Sequence, residues 1–385
     1  MDAIALTNKG ITDIAALEVT ELAKGKVLAE GDSHVSFSVS GIEDLYLLCY
    51  KAQAVGKIIA IVGSFMLEGN DAVTITKEVA GLDFSGWIPD RGTSFKAACI
   101  HTGEASSEEL SAAIGEGVVK AVEQRQGFTP AVELKSPDVI IYGFCAGVGQ
   151  WFIGVDVAGI DLSKRAYKIF GHPQALKGII GYGLCRVAGI RDGQLIVDPF
   201  AGSGVIPIEA AHYLSGFAIN HYNKQKLLFT KRLAPCFDFA AIDSKAVEPA
   251  AKIIGYDNSV LYATNAKKNA KIAGVEKYLK IARGDIAWLD TKCEEHSVDR
   301  IVTHPPQPSR HAEERIFEKT YREFFYQAEF VLKKDGRIAC IMQSGKDLLA
   351  AKSREYGFSV TSEREVHSGM GRMWFIVFSR NPSLS

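Results

Sequence analysis

The period of the hydrophobic positions changes several times along the chain, and the changes divide it into segments. An apolar run at Ile4–Leu6 is followed by Ile11, Ile14, Leu17 and Leu22 at near-helical spacing, which predicts a strand and then a helix. Val35, Phe37 and Val39 alternate with serines as in a half-buried strand, residues 44–54 have helical spacing, and Ile58–Val62 reads as another strand. Residues 1–62 are therefore expected to form a small α+β unit. A second unit, residues 63–162, is organised around a helix at Ser106–Gln124. There Ser106 and Glu109 have capping-box spacing, and Leu110, Ala113, Ile114, Val118 and Ala121 share one face. Residues 163–194 read as a linking helical region.

From Leu195 the pattern becomes strand, helix, strand, helix: Leu195–Phe200, Val205–Leu214, Ile253–Tyr256, Val260–Ala273, Tyr278–Ala282, Asp299–Thr303, Glu313–Leu332 and Arg337–Gln343. Such alternation predicts an α/β domain with a parallel doubly wound sheet over residues 195–385. The end departs from it. Phe358–Val366 and Met373–Arg380, separated by His367–Arg372, read as a hairpin that places an antiparallel strand at the sheet edge.

Composition narrows the function. With 385 residues and 47% hydrophobic content, the chain can bury at least two cores. Lys+Arg 44 against Asp+Glu 45 gives a net charge of −1, so any nucleic-acid contact rests on a local patch. One such patch is a basic-aromatic stretch with Lys224, Lys226, Lys231 and Arg232 beside Tyr222 and Phe229, which reads equally as an RNA contact or as a loop folded over the domain. The seven cysteines are scattered, with no metal-ligand spacing, and are expected to be reduced thiols in a cytoplasmic protein that holds no metal. Neither a secretory signal nor a membrane span is expected. The apolar stretch Val139–Ile160 splits at Ala146–Gln150 into two β-rich runs, Val139–Cys145 and Trp151–Val157, which make a buried hairpin.

The strongest chemical signal is the turn Asp198, Pro199, Phe200, Ala201, Gly202, Ser203 and Gly204, which follows a strand and opens a helix. Its glycines let backbone approach a ligand, the helix-start amides suit a carboxylate, and Asp198 suits an ammonium. Asp257, followed by Asn258 at the end of the next strand, can accept two ribose hydroxyls, and Asp285, followed by Ile286, can accept from an adenine amino group. Each acid alone reads as readily as a helix cap, but three in register with the intervening helices do not.

This constellation, with the terminal hairpin, resembles the class I methyltransferase fold and implies S-adenosylmethionine as cofactor. The fourth strand ends in Thr303-His304-Pro305-Pro306-Gln307. Amino-methyltransferases carry Asn or Asp, Pro-Pro and then Tyr or Phe at this place: side chain and first proline carbonyl align the target amine, and the aromatic stacks on the base. Here His304 stands for the Asn or Asp and Gln307 for the aromatic. A neutral imidazole can accept one hydrogen bond, so His304 and the Pro305 carbonyl are the expected aligning pair, with stacking supplied by Trp288 or Phe200.

Upstream, Ser94-Phe-Lys, the Ser106-Ser-Glu-Glu-Leu helix start and Val132–Val139 resemble a THUMP domain, which in its family grips the acceptor end of tRNA and often follows a ferredoxin-like domain. Arg165-Ala-Tyr-Lys-Ile-Phe-Gly-His-Pro-Gln-Ala-Leu-Lys177 resembles the segment that packs over the methionine end of the cofactor in THUMP-linked RNA guanine-N2-methyltransferases, and implies that His172, Ala175 and Leu176 face it. The resemblance is closest to the archaeal tRNA guanine-6 type. It implies a monomer that methylates guanine N2 in tRNA. The alternatives are an rRNA guanine-N2-methyltransferase and an RNA-binding protein whose methyltransferase domain is impaired. A nicotinamide enzyme is disfavoured, since the turn lacks Gly-x-Gly-x-x-Gly.

Overall fold

The computed structural model describes residues 1–67, 71–101, 106–147, 149–174, 176–308, 314–369 and 371–381. Their contacts group into two compact units: Met1–Thr7, Ala15–Leu162 and Asn223–Asp238 in one, and Asn8–Ile14, Ser163–Tyr222 and Phe239–Ser385 in the other.

The first unit begins β1 (Asp2–Leu6), α1 (Thr12–Ala23), β2 (Lys26–Glu30), β3 (His34–Ser38), α2 (Ile42–Lys51) and β4 (Lys57–Met66). It continues α3 (Ala72–Ala80), β5 (Ser94–Ile100), α4 (Ser107–Gln126), β6 (Ala131–Val132), β7 (Val139–Ala146) and β8 (Gln150–Asp156). One eight-stranded sheet runs β2-β3-β1-β4-β8-β7-β5-β6. β4 extends past the expected boundary at residue 62 and pairs with β1 on one side and β8 on the other, so backbone hydrogen bonds join the two expected segments. The α4 helix has the cause its sequence implied: the Ser106 side chain accepts from Glu108 N and Glu109 N, Leu110, Ala113, Ile114, Val118 and Ala121 are buried, and Gly127 (φ 71°) ends it. The apolar stretch at 139–156 is the antiparallel β7–β8 pair, and among the described residues no helix is long and apolar enough to cross a membrane.

The basic-aromatic stretch groups with this unit. Phe229 is 0% exposed and stacks on Tyr46 with centroids 4.4 Å apart, and Phe237 meets it edge-on at 5.4 Å. Arg232 forms a bidentate pair with Asp90 (2.7 and 2.9 Å), and Leu228 N donates to Ala158 O (2.8 Å). Phe229 is thus a core residue and is removed from the aromatics that could stack on a base.

The second unit contains α5 (Gly178–Ala188), β9 (Leu195–Asp198), α6 (Val205–Ser215), α7 (Phe239–Asp243), β10 (Lys252–Asp257), α8 (Val260–Ala273), β11 (Leu279–Arg283) and β12 (Val298–Thr303). It ends α9 (Glu314–Val331), β13 (Leu332–Met342), α10 (Lys346–Glu355), β14 (Phe358–Ser368) and β15 (Gly371–Arg380). Its seven-stranded sheet runs β11-β10-β9-β12-β13-β15-β14. β9 to β13 are parallel, β15 is antiparallel to both neighbours, and the order reverses between β9 and β12, where doubly wound sheets bind ligands. The expected hairpin is present with one difference: its return strand β15 inserts between β13 and β14, so the antiparallel strand lies one place in from the edge. The expected linker 163–194 belongs to this unit, because α5 buries Ile179, Ile180, Leu184 and Cys185 and packs on α6, β12, β13 and β15. Residues 8–14 also belong here: Asn8 donates to His367 O (2.7 Å) and Asp13 pairs with Arg364 (2.8 Å).

Replacing Phe229 by Ala should destabilise the first unit by about 3–5 kcal/mol, the usual cost of deleting a buried aromatic. Denaturant unfolding followed by intrinsic fluorescence measures it. A loss below about 0.5 kcal/mol, typical of surface positions, would contradict the core assignment.

Candidate functional site

The site forms where β9, β10 and β12 end. The backbone turns sharply after Asp198, with Gly202 (φ 52°) and Gly204 (φ 84°) in the left-handed region. At Gly204 a Cβ would also lie 2.9 Å from the Ala266 Cβ, so both conformation and space require glycine there. The loop is tied to β10 twice: Ala201 N donates to Tyr256 O (2.8 Å) and Gly202 N donates to Asp257 Oδ2 (3.0 Å). No side chain caps α6, so its first amides have no side-chain acceptor.

Asp198 is 3% exposed. Its Oδ1 accepts from Thr303 Oγ1 (2.6 Å) and Phe200 N (3.2 Å), while its buried Oδ2 has no partner among the described residues. Burial, reinforced by the nearby Asp257 charge, pushes its pKa up to about 7 against the Thr303 and Phe200 bonds. A buried carboxylate oxygen without a donor is costly unless a cation or donor arrives. Asp257 spends one bond of each oxygen on the backbone, Oδ2 on Gly202 N and Oδ1 on Ser259 N (2.9 Å), and keeps further lone pairs.

Across the loop lies a strap, residues 165–177, held by a buried pair. Arg165 Nε donates to Glu209 Oε1 (2.7 Å), Arg165 Nη2 to Glu209 Oε2 (3.1 Å), and Tyr167 Oη to Glu209 Oε1 (2.7 Å). This bidentate geometry fixes the strap to α6. Further along, Asn269 accepts from Phe170 N (3.0 Å) and donates to Phe170 O and Ser203 O (2.9 Å each). The strap brings His172 over the loop, edge-on to Tyr262 at 4.3 Å. Burial holds the His172 imidazole below its ordinary range.

Two adjoining spaces result. A chamber of about 30 Å³ is lined by Asp198, Gly202, Ser203, His172, Leu176 and His304. A cavity of about 450 Å³ is lined by Pro199, Phe200, Asp257, Asn258, Asp285 and Ile286, with His172, His304 and Pro306. The expected cofactor positions thus line these two spaces, except Gly204, which shapes the loop, and Ala175, which lies outside the described residues. Asp285 also caps the short helical turn behind it, accepting from Ala287 N (3.0 Å), while still lining the cavity. Gln174, Tyr262 and Thr303 join the site without having been anticipated, although Gln174 lay inside the quoted Arg165–Lys177 segment and Thr303 directly before the His-Pro-Pro run.

The residues after β12 depart from their expected roles. Trp288 is 61% exposed and does not line the cavity, so of the two expected stacking residues only Phe200 is on its wall, with Tyr262. Gln307 is 6% exposed and does not face the cavity as a stacking residue would. Its Oε1 accepts from Gln343 N (2.6 Å) and Ser344 N (3.0 Å), and its Nε2 lies 2.5 Å from His304 Nε2. The Pro306 carbonyl accepts from Tyr321 Oη (2.7 Å), while among the described residues no donor reaches the Pro305 carbonyl. His304 lies at the chamber with its pKa pushed down to about 4, chiefly by burial and secondarily by His172, so it is neutral at physiological pH. Its Nε2, however, is engaged by Gln307, and the expected side-chain acceptor for an incoming amine is occupied.

A family model described as RMKL-like, methyltransferase domain, matches residues 165–373. The chain belongs to the RMKL-like methyltransferases. The matched range starts at the strap's Arg165 and includes every residue of the site. The chain is similar to the tRNA (guanine(6)-N2)-methyltransferase of Methanocaldococcus jannaschii, at 29% identity over 78% of this chain and 80% of that protein. It is similar to the Archaeoglobus fulgidus protein of the same name at 27% identity over 95% of this chain and 88% of that one. The solved structure of TrmN from Thermus thermophilus covers 98% of this chain and 99% of its own, with a TM-score of 0.73 at 22% identity. SMU.472, solved with SAH, gives 0.80 at 19% identity over 100% of this chain and 99% of its own.

The RMKL-like site fits S-adenosylmethionine on its own geometry. The unpartnered Asp198 Oδ2 suits the ammonium, the uncapped start of α6 suits the carboxylate, and the larger cavity with Asp257 and Asp285 on its wall suits the nucleoside. An acid held at about 7 is largely protonated at pH 6, and pairing with an ammonium favours its charged form. Binding of S-adenosylhomocysteine, which carries the same ammonium, should therefore release about one proton at around pH 6 and almost none above about pH 8.5. Calorimetry in buffers of different ionisation enthalpy reads this directly. Proton uptake, or a release unchanged in Asp198→Asn, would contradict the assignment.

Proposed function

We propose that the chain transfers a methyl group from S-adenosylmethionine to the exocyclic N2 of a guanine in tRNA. The observation that carries this reading is the similarity to the A. fulgidus tRNA (guanine(6)-N2)-methyltransferase along 95% of the chain, the first unit included, together with a site whose unpartnered acid suits the cofactor.

Bound S-adenosylmethionine supplies an electrophilic methyl group on a sulfonium. The chain's residues hold and orient. Asp198 and the start of α6 take the amino-acid end, Asp257 with Asn258 the ribose, and Asp285 with Ile286 the adenine, while His172 and Leu176 close the strap over the loop. Phe200 offers an apolar wall beside the Pro305–Pro306 turn. The Pro305 carbonyl accepts one N–H of the guanine amine, which turns its lone pair toward the methyl group. After transfer the extra proton passes to solvent.

We assign RNA docking to the first unit. Its opening order, strand-helix-strand-strand-helix-strand with β4-β1-β3-β2 all antiparallel, supports reading residues 1–62 as a ferredoxin-like domain. Residues 63–162 continue the sheet with the THUMP-like segments, Ser94–Lys96 lying on β5 and Val132–Val139 running from β6 to the start of β7. We assign methyl transfer to the second unit, the strap and α5 included, in place of the expected 195–385. The chain acts on RNA in the cytoplasm.

A second reading has one specific observation behind it. Gln307 occupies the acceptor nitrogen of His304, as an RNA-binding protein with a non-transferring cofactor domain could tolerate. Mass spectrometry of tRNA nucleosides after incubation with methyl-labelled S-adenosylmethionine decides between them. Labelled N2-methylguanosine, lost in Asp257→Ala, is expected. Tight cofactor binding with no labelled nucleoside would establish the second reading, and a label elsewhere than guanine N2 would overturn the substrate assignment.

A further inference from the structure

The orientation of the Gln307 amide is settled by its surroundings. Two backbone N–H groups, of Gln343 and Ser344, converge on one of its atoms, which must be the oxygen, since an NH2 group cannot accept them. The nitrogen then has two protons to place. One reaches Ile341 O (3.3 Å) and the other points at His304 Nε2 at 2.5 Å. A ring nitrogen that receives a hydrogen bond carries no proton, so the proton of the neutral imidazole sits on Nδ1. The Nε2 lone pair is thereby used. Gln174 of the strap lines the same small chamber as the His304 ring. The turn beyond is equally constrained: Ser344 Oγ donates to Pro308 O (2.8 Å), and a Cβ on Gly345 would lie 2.7 Å from the Pro308 ring.

We infer that His304 is a positioning residue, a strut set against the strap whose Gln174 shares its chamber and bonded through Gln307 to the turn after β13, and that Gln307 sets its Nδ1–H tautomer. The target amine is then aligned by the Pro305 carbonyl with no side-chain acceptor at this place, a clause that rests on the methyltransferase reading. Gln307 has exchanged base stacking for rigidity of the loop that carries this carbonyl.

The tautomer can be read without cofactor or RNA. In the full-length chain labelled with 15N-histidine, long-range 1H–15N correlation at neutral pH should show His304 protonated at Nδ1 and bare at Nε2, with His304→Asn assigning the signal. An Nε2–H tautomer in the wild type would overturn the strut. Gln307→Glu puts a carboxylate oxygen opposite Nε2. It should move the proton to that nitrogen and bring a His304 titration into the range of about pH 6–8, because an adjacent carboxylate raises a histidine pKa. A variant ring still protonated only at Nδ1 would also overturn it. The titratable groups sharing the chamber are His172 on the strap and Asp198 at the end of β9. In single-turnover methylation of tRNA, wild type should show no His304 limb above about pH 6, and Gln307→Glu should acquire one. A wild-type limb near about 6.5 that His304→Asn abolishes would restore His304 as the amine acceptor. If no RNA is methylated, the methyltransferase reading fails by itself, and the tautomer still decides the strut.

Discussion

The site depends on one hydrogen bond, from Gly202 N to Asp257 Oδ2. It fastens the loop after β9 to the end of β10, so that the acid expected to receive a ribose also sets the backbone expected to receive an amino-acid group. Around it, Thr303 Oγ1 occupies one oxygen of Asp198 and leaves the other buried and unpartnered. Three parallel strands, β10, β9 and β12, thus each contribute one end to a single arrangement. That is possible because the sheet order reverses between β9 and β12 and opens a crevice there. The same arrangement stores an unfavourable term in the free protein, a carboxyl pushed to about 7, which a cationic ligand relieves.

The second constraint is the strap. A buried Arg165–Glu209 pair is poor evidence for stability, since desolvating both charges costs about as much as their attraction returns. Its value here is positional. The bidentate fork fixes the start of the strap against α6, and Asn269 fixes Phe170 two residues before His172, which turns inward. Gln307 holds His304 on the chamber that the strap's Gln174 also lines, so that wall of the small chamber is set before any ligand arrives.

Elements with their own local signals were legible in the sequence. The α8 helix, Val260–Ala273, has the bounds its periodicity implied, because Ser259 caps one end and Gly274 (φ 77°) closes the other. The loop Asp198–Gly204 was equally legible, since each glycine answers a backbone need. Three features were not. The α5 helix was expected as part of a linker, and nothing in its local pattern says that it is buried on nearly all sides within the second unit. Phe229 sat in a basic, aromatic context that looked like surface, and only its stacking on Tyr46 reveals it as core. Gln307 was correctly located in its motif, but position in a motif does not say which way a side chain turns. Its partners, the Gln343 and Ser344 amides, are more than thirty residues away, and no local pattern links them.

The central claim is that the orphaned oxygen of Asp198 and the carboxylate of Asp257 receive the two ends of one cofactor molecule. A crystal structure of the chain with S-adenosylhomocysteine tests it most directly. The account predicts the ammonium within hydrogen-bond distance of Asp198 Oδ2 and the ribose hydroxyls on Asp257, with the Gly202–Asp257 bond intact. Density that leaves Asp198 Oδ2 unpartnered, or that places the ribose away from Asp257, would contradict it.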